Sequence, residues 1–142
     1  MQKLDINFLR LPLGYWNVID MTEDPQAPAT EASRMGNLSK IMPSSHDYLP
    51  YISKILDHAR TYNIKVLLDL HAAPGNQSGA SNAGCYTQNI PHWDNDRNKE
   101  WTAKAVTALG QICKDAGEAC YGVELLNEPG WEVSRVHLRE WY

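Results

Sequence analysis

Four side chains that can donate, accept or titrate protons lie at the ends of three apolar runs in the chain. These side chains are Arg10, His71, Asn127 and Glu128. The runs span residues 6–12, 64–71 and 121–128, and near-continuous Val, Ile and Leu is typical of parallel strands covered on both faces. Functional side chains collect at the carboxyl ends of such strands. The order therefore predicts one site containing a guanidinium, an imidazole, an amide and a carboxyl group.

Each of these residues also has a purely structural explanation. Arg10 could pair with a buried carboxylate, and His71 could be a hydrogen-bonded interior histidine. Glu128 could cap a loop, and Pro129 removes the helical conformation from it and predicts an extended backbone there. Separate structural explanations do not account for all four residues lying at strand ends in order, so the functional interpretation is favoured.

Helical patterns separate the three runs. After a polar stretch at residues 21–44, a first helix is predicted with Pro50 at its first position and Asn63 as its left-handed cap. A second helix ends just before Gly117, and a third begins within residues 133–142. The apolar stripes of the two complete helices consist of Ile52, Ile55, Leu56 and Ala59, and of Trp101, Ala105, Ala108, Leu109 and Ile112. Alternating strands and helices predict an α/β fold with right-handed βαβ units and a parallel sheet.

The composition of the chain is typical of a globular protein and argues against some classes of partner. The chain has 142 residues, of which 43 % are hydrophobic and 21 % charged, so it is expected to be globular rather than disordered. Its net charge of −4 without a basic stripe argues against nucleic acid or an anionic membrane as partner. The apolar runs are too short to span a bilayer, and no signal peptide is recognised at the start. A sheet of three strands has open edges, so we expect a piece of a larger fold.

The cysteines leave the redox environment open. There are three, at positions 85, 113 and 120, and no CxxC pair among them, so the spacing of a zinc site is absent. Cys113 and Cys120 lie on either side of a helix end, where they either form a disulfide or remain free thiols.

Three segments of the chain resemble motifs of one enzyme family. They are FLRLPLGYW at 8–16, VLLDLHAAPGNQSG at 66–79 and GVELLNEP at 122–129. They are similar to glycoside hydrolase family 5 of clan A, the cellulase-like enzymes, and most similar to its exo-β-1,3-glucanase branch. The resemblance covers the chain from about residue 5 onward, although Asn76 and Ser78 are exchanged relative to the family order.

The family fold is a (β/α)8 TIM barrel, and the resemblance implies that the three strands are its second to fourth, with two full helices and the start of a third. Residues 1–142 are then a fragment of a single catalytic domain that lacks the remainder of the barrel. The resemblance implies that Glu128 is the general acid/base and that Asn127 binds the sugar 2-hydroxyl. It further implies that Arg10 orients the nucleophilic carboxylate and that His71 lines the same sugar subsite. No metal or other cofactor is implied.

The implied activity is retaining hydrolysis of β-glucan or an oligosaccharide, of the exo-β-1,3-glucosidase type. The family nucleophile comes from the seventh strand, and no glutamate here has its motif context. Glu124 is expected to be an interior partner instead. The alternative is a non-catalytic carbohydrate-binding or vestigial fragment without the nucleophile. Relatives of this kind are commonly secreted, which suggests an extracellular location. For the loop residues Trp16, Trp93 and Trp131, sugar contact and packing both stay open.

Overall fold

A computed structural model of the chain describes residues 5–20, 45–84 and 87–142. Within these residues, three parallel strands form one sheet in the order β1-β2-β3. The elements are β1 (Phe8–Gly14), α1 (Ser45–Thr61), β2 (Lys65–Ala72), α2 (Asp96–Ala116), β3 (Cys120–Glu124) and α3 (Arg135–Trp141). The parallel α/β character predicted from the sequence is thus confirmed. The polar stretch at 21–44 and Cys85 lie outside the described residues.

The strand bounds differ from the predicted runs. β1 continues to Gly14, because its last residues still pair with β2. β3 ends at Glu124, so Asn127 and Glu128 lie in the following loop and not at the end of a strand. The main chain nevertheless stays beside β2, because the Asn127 amide donates to the Leu70 carbonyl at 3.0 Å.

The first helix begins earlier than predicted. α1 starts at Ser45, so Pro50 lies inside the helix and not at its first position. Pro50 is exposed there, and it costs the helix one backbone donor. Asn63 follows the helix with φ of +54°, which confirms the left-handed cap predicted for it.

The second helix agrees with its predicted stripe. The Asn95 side chain caps α2 by accepting from the Asn98 amide, and Gly117 follows its end with φ of +58°. Ala105 and Leu109 are fully buried, and Trp101 packs against the same core. The recurrence of apolar residues every three or four positions therefore determines which face of α2 packs against the sheet.

The main core lies between one face of the sheet and the helices α1 and α2. Leu68 and Leu70 of β2 are fully buried there and pack with Ile52 and Leu56 of α1. On the other face, Phe8 is 42 % exposed and Arg10 is exposed. The described helices thus cover one face, whereas the sequence predicted cover on both. A smaller cluster consisting of Ala73, Trp93, Leu126 and Val133 supports the loops at the carboxyl ends of β2 and β3.

A disulfide joins Cys113 near the end of α2 to Cys120 at the start of β3. The two Cα atoms are 5.2 Å apart, which is a distance typical of a disulfide. The cross-link fixes the short connection through Gly117 and so fixes where β3 enters the sheet. The pairing that the sequence left open is therefore formed in the structure.

None of the helices among the described residues is long and apolar enough to span a membrane.

Candidate active site

The predicted site residues converge at one edge of the uncovered face, and Arg10 reaches them from within its strand. Arg10 is the third residue of β1 and pairs with Leu67, so it does not stand at the strand's carboxyl end as predicted. Its long side chain extends to the loop after β3, where the Nη2 atom donates to Asn127 Oδ1 at 2.6 Å. The length of the arginine side chain thus compensates for its earlier position in the strand.

The strongest contact of Arg10 is with Glu124 at the end of β3. Nε and Nη2 of Arg10 donate to the two carboxylate oxygens of Glu124, each at 2.8 Å. This bidentate pair raises the pKa of Arg10, with the hydrogen bond as the main cause, and lowers the pKa of Glu124 for the same reason. Glu124 is therefore an ionised partner of Arg10, as expected, although its side chain is not buried and stays 31 % exposed.

Asp69 joins Arg10 to His71. Its Oδ2 atom lies 2.7 Å from His71 Nδ1 and 3.1 Å from Arg10 Nη2. The Asp69 side chain is fully buried, whereas His71 keeps 25 % of its side chain exposed. Burial raises the pKa of Asp69, although hydrogen bonding to His71 and the charge of Arg10 oppose this increase. Asp69 was not singled out from the sequence, although two signals were available: a carboxylate inside an otherwise apolar strand, and its position two residues before His71 on the same face.

Glu128 is exposed and has an unusual backbone conformation. Its φ is +41°, in the left-handed region, so the extended backbone predicted from Pro129 is wrong. The reason is that the backbone is anchored on both sides of Glu128. The Asn127 backbone amide donates a hydrogen bond to the Leu70 carbonyl, and the Gly130 amide donates to the Gln77 carbonyl at 2.8 Å. The chain must turn between these points, and such a conformation in a non-glycine residue costs about 1–3 kcal/mol.

Gln77 is the brace for this turn, and it is not among the residues predicted from the sequence. Its side chain is fully buried, and its Nε2 atom donates to the carbonyls of His71 and Asn127, both at 2.8 Å. Its Oε1 atom accepts from the Ala73 amide at 3.0 Å. One amide side chain therefore ties the end of β2 to the Asn127–Glu128 segment. A glutamine inside a glycine-rich loop was the available signal.

The loop tryptophans divide into packed and exposed residues. Trp93 is fully buried and donates through Nε1 to Thr102 at 2.9 Å, and Trp16 is half-buried against Tyr15. Trp131 is 89 % exposed in the loop that carries Glu128. Packing therefore accounts for Trp93 and Trp16, and Trp131 is the loop tryptophan whose indole is accessible.

Solved structures share the fold of this chain. The crystal structure of AoRut aligns with a TM-score of 0.67 and 18 % identity, over 89 % of this chain and 31 % of that chain. Rutinosidase from Aspergillus niger aligns with a TM-score of 0.62 and 20 % identity, over 92 % of this chain and 32 % of that chain. The sheet and helices described above are therefore an arrangement found within larger proteins.

Sequence relatives indicate a narrower class of protein than the solved structures do. Glucan 1,3-beta-glucosidase of Blumeria graminis is 31 % identical over 98 % of this chain, which spans 28 % of that protein. Glucan 1,3-beta-glucosidase 2 of Wickerhamomyces anomalus is 33 % identical over 87 % of this chain, spanning 25 % of that protein. No family model matches the chain.

These alignments confirm the resemblance stated from the motifs. The chain is related to the glycosidases of glycoside hydrolase family 5. Within that class, its relatives include glucan 1,3-beta-glucosidases, of which it spans 25–29 % of the length.

Proposed function

We propose that this chain is part of a retaining β-glucan hydrolase of the exo-β-1,3-glucosidase type and carries the acid/base half of its active site. The observation that carries the proposal is the joining of Arg10, Asn127 and the Glu128 loop at one sheet edge, in a relative of glucan 1,3-beta-glucosidases. The sequential parallel order of β1 to β3 and their helices on one face are what strands two to four of a (β/α)8 barrel require.

In this proposal Glu128 protonates the leaving glycosidic oxygen and then activates water. Its carboxyl group is exposed, and among the described residues it acts on Arg10 through charge. The strained backbone supports a functional role, because strain of this kind is retained where the surroundings impose it. The anchors on Asn127 and Gly130 impose it here.

Asn127 is proposed to bind the 2-hydroxyl group of the sugar at the cleaved bond. Its Oδ1 atom is engaged by Arg10 at 2.6 Å, which leaves the amide nitrogen of the side chain as the donor for a hydroxyl oxygen. Its main chain is held by Leu70 on one side and by Gln77 on the other. An orientation fixed on three sides suits a contact that must tighten in the transition state.

Arg10 is proposed to orient the nucleophilic carboxylate that the family supplies from its seventh strand. Nε and Nη2 are committed to Glu124, Asn127 and Asp69. The remaining terminal nitrogen of the guanidinium is then the group for an incoming carboxylate. His71, held beside Arg10 through Asp69, is proposed to line the same sugar subsite.

The disulfide supports an extracellular location for the protein. Disulfides persist in oxidising compartments and are rare in reducing ones. The Cys113–Cys120 bond is therefore consistent with the secreted location suggested by the family.

The proposal is tested by Glu128→Gln in the natural polypeptide that contains this chain. Loss of a general acid/base lowers the rate roughly 10²–10⁴-fold. We expect that loss with laminari-oligosaccharides, and a much smaller loss in the glycosylation step with a dinitrophenyl glucoside, whose leaving group needs no proton. Glu100→Gln, on the exposed surface of α2 beside Lys104, is the matched control and should retain full activity.

Two outcomes would contradict the proposal. Undiminished hydrolysis by the folded Glu128→Gln variant would remove Glu128 from the acid/base role. Saturable binding of laminari-oligosaccharides by the unmodified polypeptide without product release would instead favour the non-catalytic carbohydrate-binding alternative.

A further inference from the structure

Asp69 is a buried carboxylate to which the proposed mechanism gives no step of its own. It lies in the centre of the sheet, where it pairs with Pro12 of β1 and Glu124 of β3. Its side chain is fully buried, and its Oδ1 atom has no hydrogen-bond partner among the described residues. A buried charged group with an unsatisfied oxygen is costly, so its retention requires an explanation.

The Oδ2 atom of Asp69 determines which ring nitrogen of a neutral His71 carries the proton. A neutral imidazole carries a proton on one ring nitrogen only, and a carboxylate oxygen accepts but does not donate. With Asp69 Oδ2 at 2.7 Å from Nδ1, the hydrogen bond requires the proton on Nδ1. Nε2 is then the nitrogen with a free lone pair, so the neutral His71 presents an acceptor rather than a donor.

The same oxygen also restrains Arg10. Oδ2 lies 3.1 Å from Arg10 Nη2, the nitrogen that donates to Asn127 and Glu124. Because Asp69 comes from β2 and Glu124 from β3, the guanidinium is held from two strands and its plane is fixed. The charged and titratable groups facing Asp69 are therefore Arg10 from β1, His71 from β2 and Glu124 from β3.

We propose that Asp69 is a positioning residue that keeps His71 protonated on Nδ1 and holds the Arg10 guanidinium in the active site. The link from this arrangement to turnover rests on the proposed function. The proton position on His71 does not, because it is a property of the folded protein that can be observed without substrate. The two parts of the inference can therefore be tested separately.

The test uses ¹⁵N-histidine spectra of the natural polypeptide containing this chain, recorded where the imidazoles are neutral. His71 signals are assigned by comparison with a His71→Gln sample. We expect the unmodified protein to carry the His71 proton on Nδ1. In Asp69→Leu, which has a similar volume and no acceptor, we expect the proton to move to Nε2, the form that free histidine favours. Turnover of a β-glucoside should fall about tenfold to a hundredfold, as for a misplaced site group.

Asp69→Asn separates the effect of losing the hydrogen-bond acceptor from the effect of losing the negative charge. Its amide oxygen can replace Oδ2, so we expect His71 to stay protonated on Nδ1 and part of the lost turnover to return. Asp94→Leu is the matched control, since Asp94 forms a second aspartate–histidine pair with His137 at 3.0 Å. That variant should change the His137 signals and leave those of His71 in place.

A His71 proton on Nε2 in the unmodified protein would overturn the inference, and this observation needs no variant to fold. An Asp69→Leu protein that folds with unchanged His71 signals and unchanged turnover would overturn it as well. If the unmodified polypeptide hydrolyses no β-glucan, the proposed function fails, and the His71 spectra still decide the role of Asp69.

Discussion

Trp131 is the residue at which exposure and position together point to substrate contact. Trp131 is 89 % exposed and lies three residues after Glu128, and its loop is fixed by the hydrogen bond from the Gly130 amide to the Gln77 carbonyl. An exposed aromatic side chain on a fixed loop presents its face without a cost for ordering the backbone. We therefore expect Trp131 to contact the leaving-group side of a glucan, which is the side that Glu128 is proposed to protonate.

Trp131→Ala should leave stability within about 0.5 kcal/mol, because no buried contact is lost. It should raise KM for laminari-oligosaccharides and have less effect on an aryl glucoside, which has no sugar on the leaving-group side. The measurement is steady-state kinetics with both substrates. Tyr51→Ala, at a 69 % exposed position on α1, is the control. Equal KM values for Trp131→Ala and the unmodified protein would assign the indole to another role.

At the residue scale, the sequence predicted the groups that carry motif information and missed those that hold them. Arg10 and Asn127 could be selected because their types and order are distinctive, and the structure brings them into contact. Gln77 could not, because its partners are main-chain groups that no side-chain pattern reveals. Asp69 was overlooked although His71 lies two residues away on the same strand, because its other partner, Arg10, lies on β1 and the sequence does not show that contact. The backbone of Glu128 was mispredicted because anchors on both sides override the preference imposed by Pro129.

At the scale of elements, the loop between β2 and α2 is held to the loop after β3 by Gln77. Gln77→Leu would keep the side-chain volume and remove all three side-chain hydrogen bonds, leaving the carbonyls of His71 and Asn127 and the Ala73 amide without this partner. Such groups cost about 1–3 kcal/mol each, with partial relaxation. We expect the free energy of unfolding to fall by about 2–4 kcal/mol, as measured by denaturant titration.

The control for this prediction is Gln111→Leu on the exposed surface of α2. Gln111 also makes a side-chain hydrogen bond, to Asp115 at 2.8 Å, but both groups are in contact with water. It should change stability by less than about 0.5 kcal/mol. If the two leucine variants unfold at the same denaturant concentration, Gln77 is not the brace described here.

Element type was predictable from periodicity, whereas element ends were not. The stripe of α2 and the cap at Asn63 were readable because apolar spacing and a single left-handed residue are local signals. The start of α1 was not predictable, because proline is favoured in the first turn of a helix and the helix was therefore predicted to begin at Pro50. The sequence does not show that Pro50 is accommodated in the second turn, at an exposed position. The end of β3 was missed for a related reason: apolar residues continue beyond Glu124 after strand pairing stops.

At the scale of the whole molecule, the two faces of the sheet have different tasks. One face is apolar and packs against α1 and α2, and it supplies the main core. The other carries the ionic network around Arg10 and Asp69, which orients the side chains of the candidate site and does not stabilise the fold by burying apolar surface. The alternation of residues along each strand makes this division possible, because successive side chains point to opposite faces.

A second ionic cluster connects distant segments and makes stability depend on pH. Asp94, before α2, accepts from the Ser134 amide at 3.2 Å and lies 3.0 Å from Nδ1 of His137 in α3. Burial raises the pKa of Asp94, but the hydrogen bonds from His137, Ser134 and Lys99 outweigh it and lower the pKa below the ordinary 3.8. A lowered carboxyl pKa stabilises the folded state above the unfolded value, and this stabilisation is lost as pH falls through the folded value.

We therefore expect Asp94→Asn to cost about 1 kcal/mol at neutral pH and to cost progressively less as the pH falls below 3.8. Denaturant unfolding at a series of pH values measures this, with Asp57→Asn, an exposed partner of Arg60, as the control that should have little effect at either end. The stability curves of the unmodified protein and the Asp94→Asn variant should converge in acid, because protonation removes from the carboxylate what the substitution has already removed. A constant difference across the series would mean that Asp94 stabilises the contact between the segment before α2 and the start of α3 through packing and hydrogen bonds alone, and not through its charge.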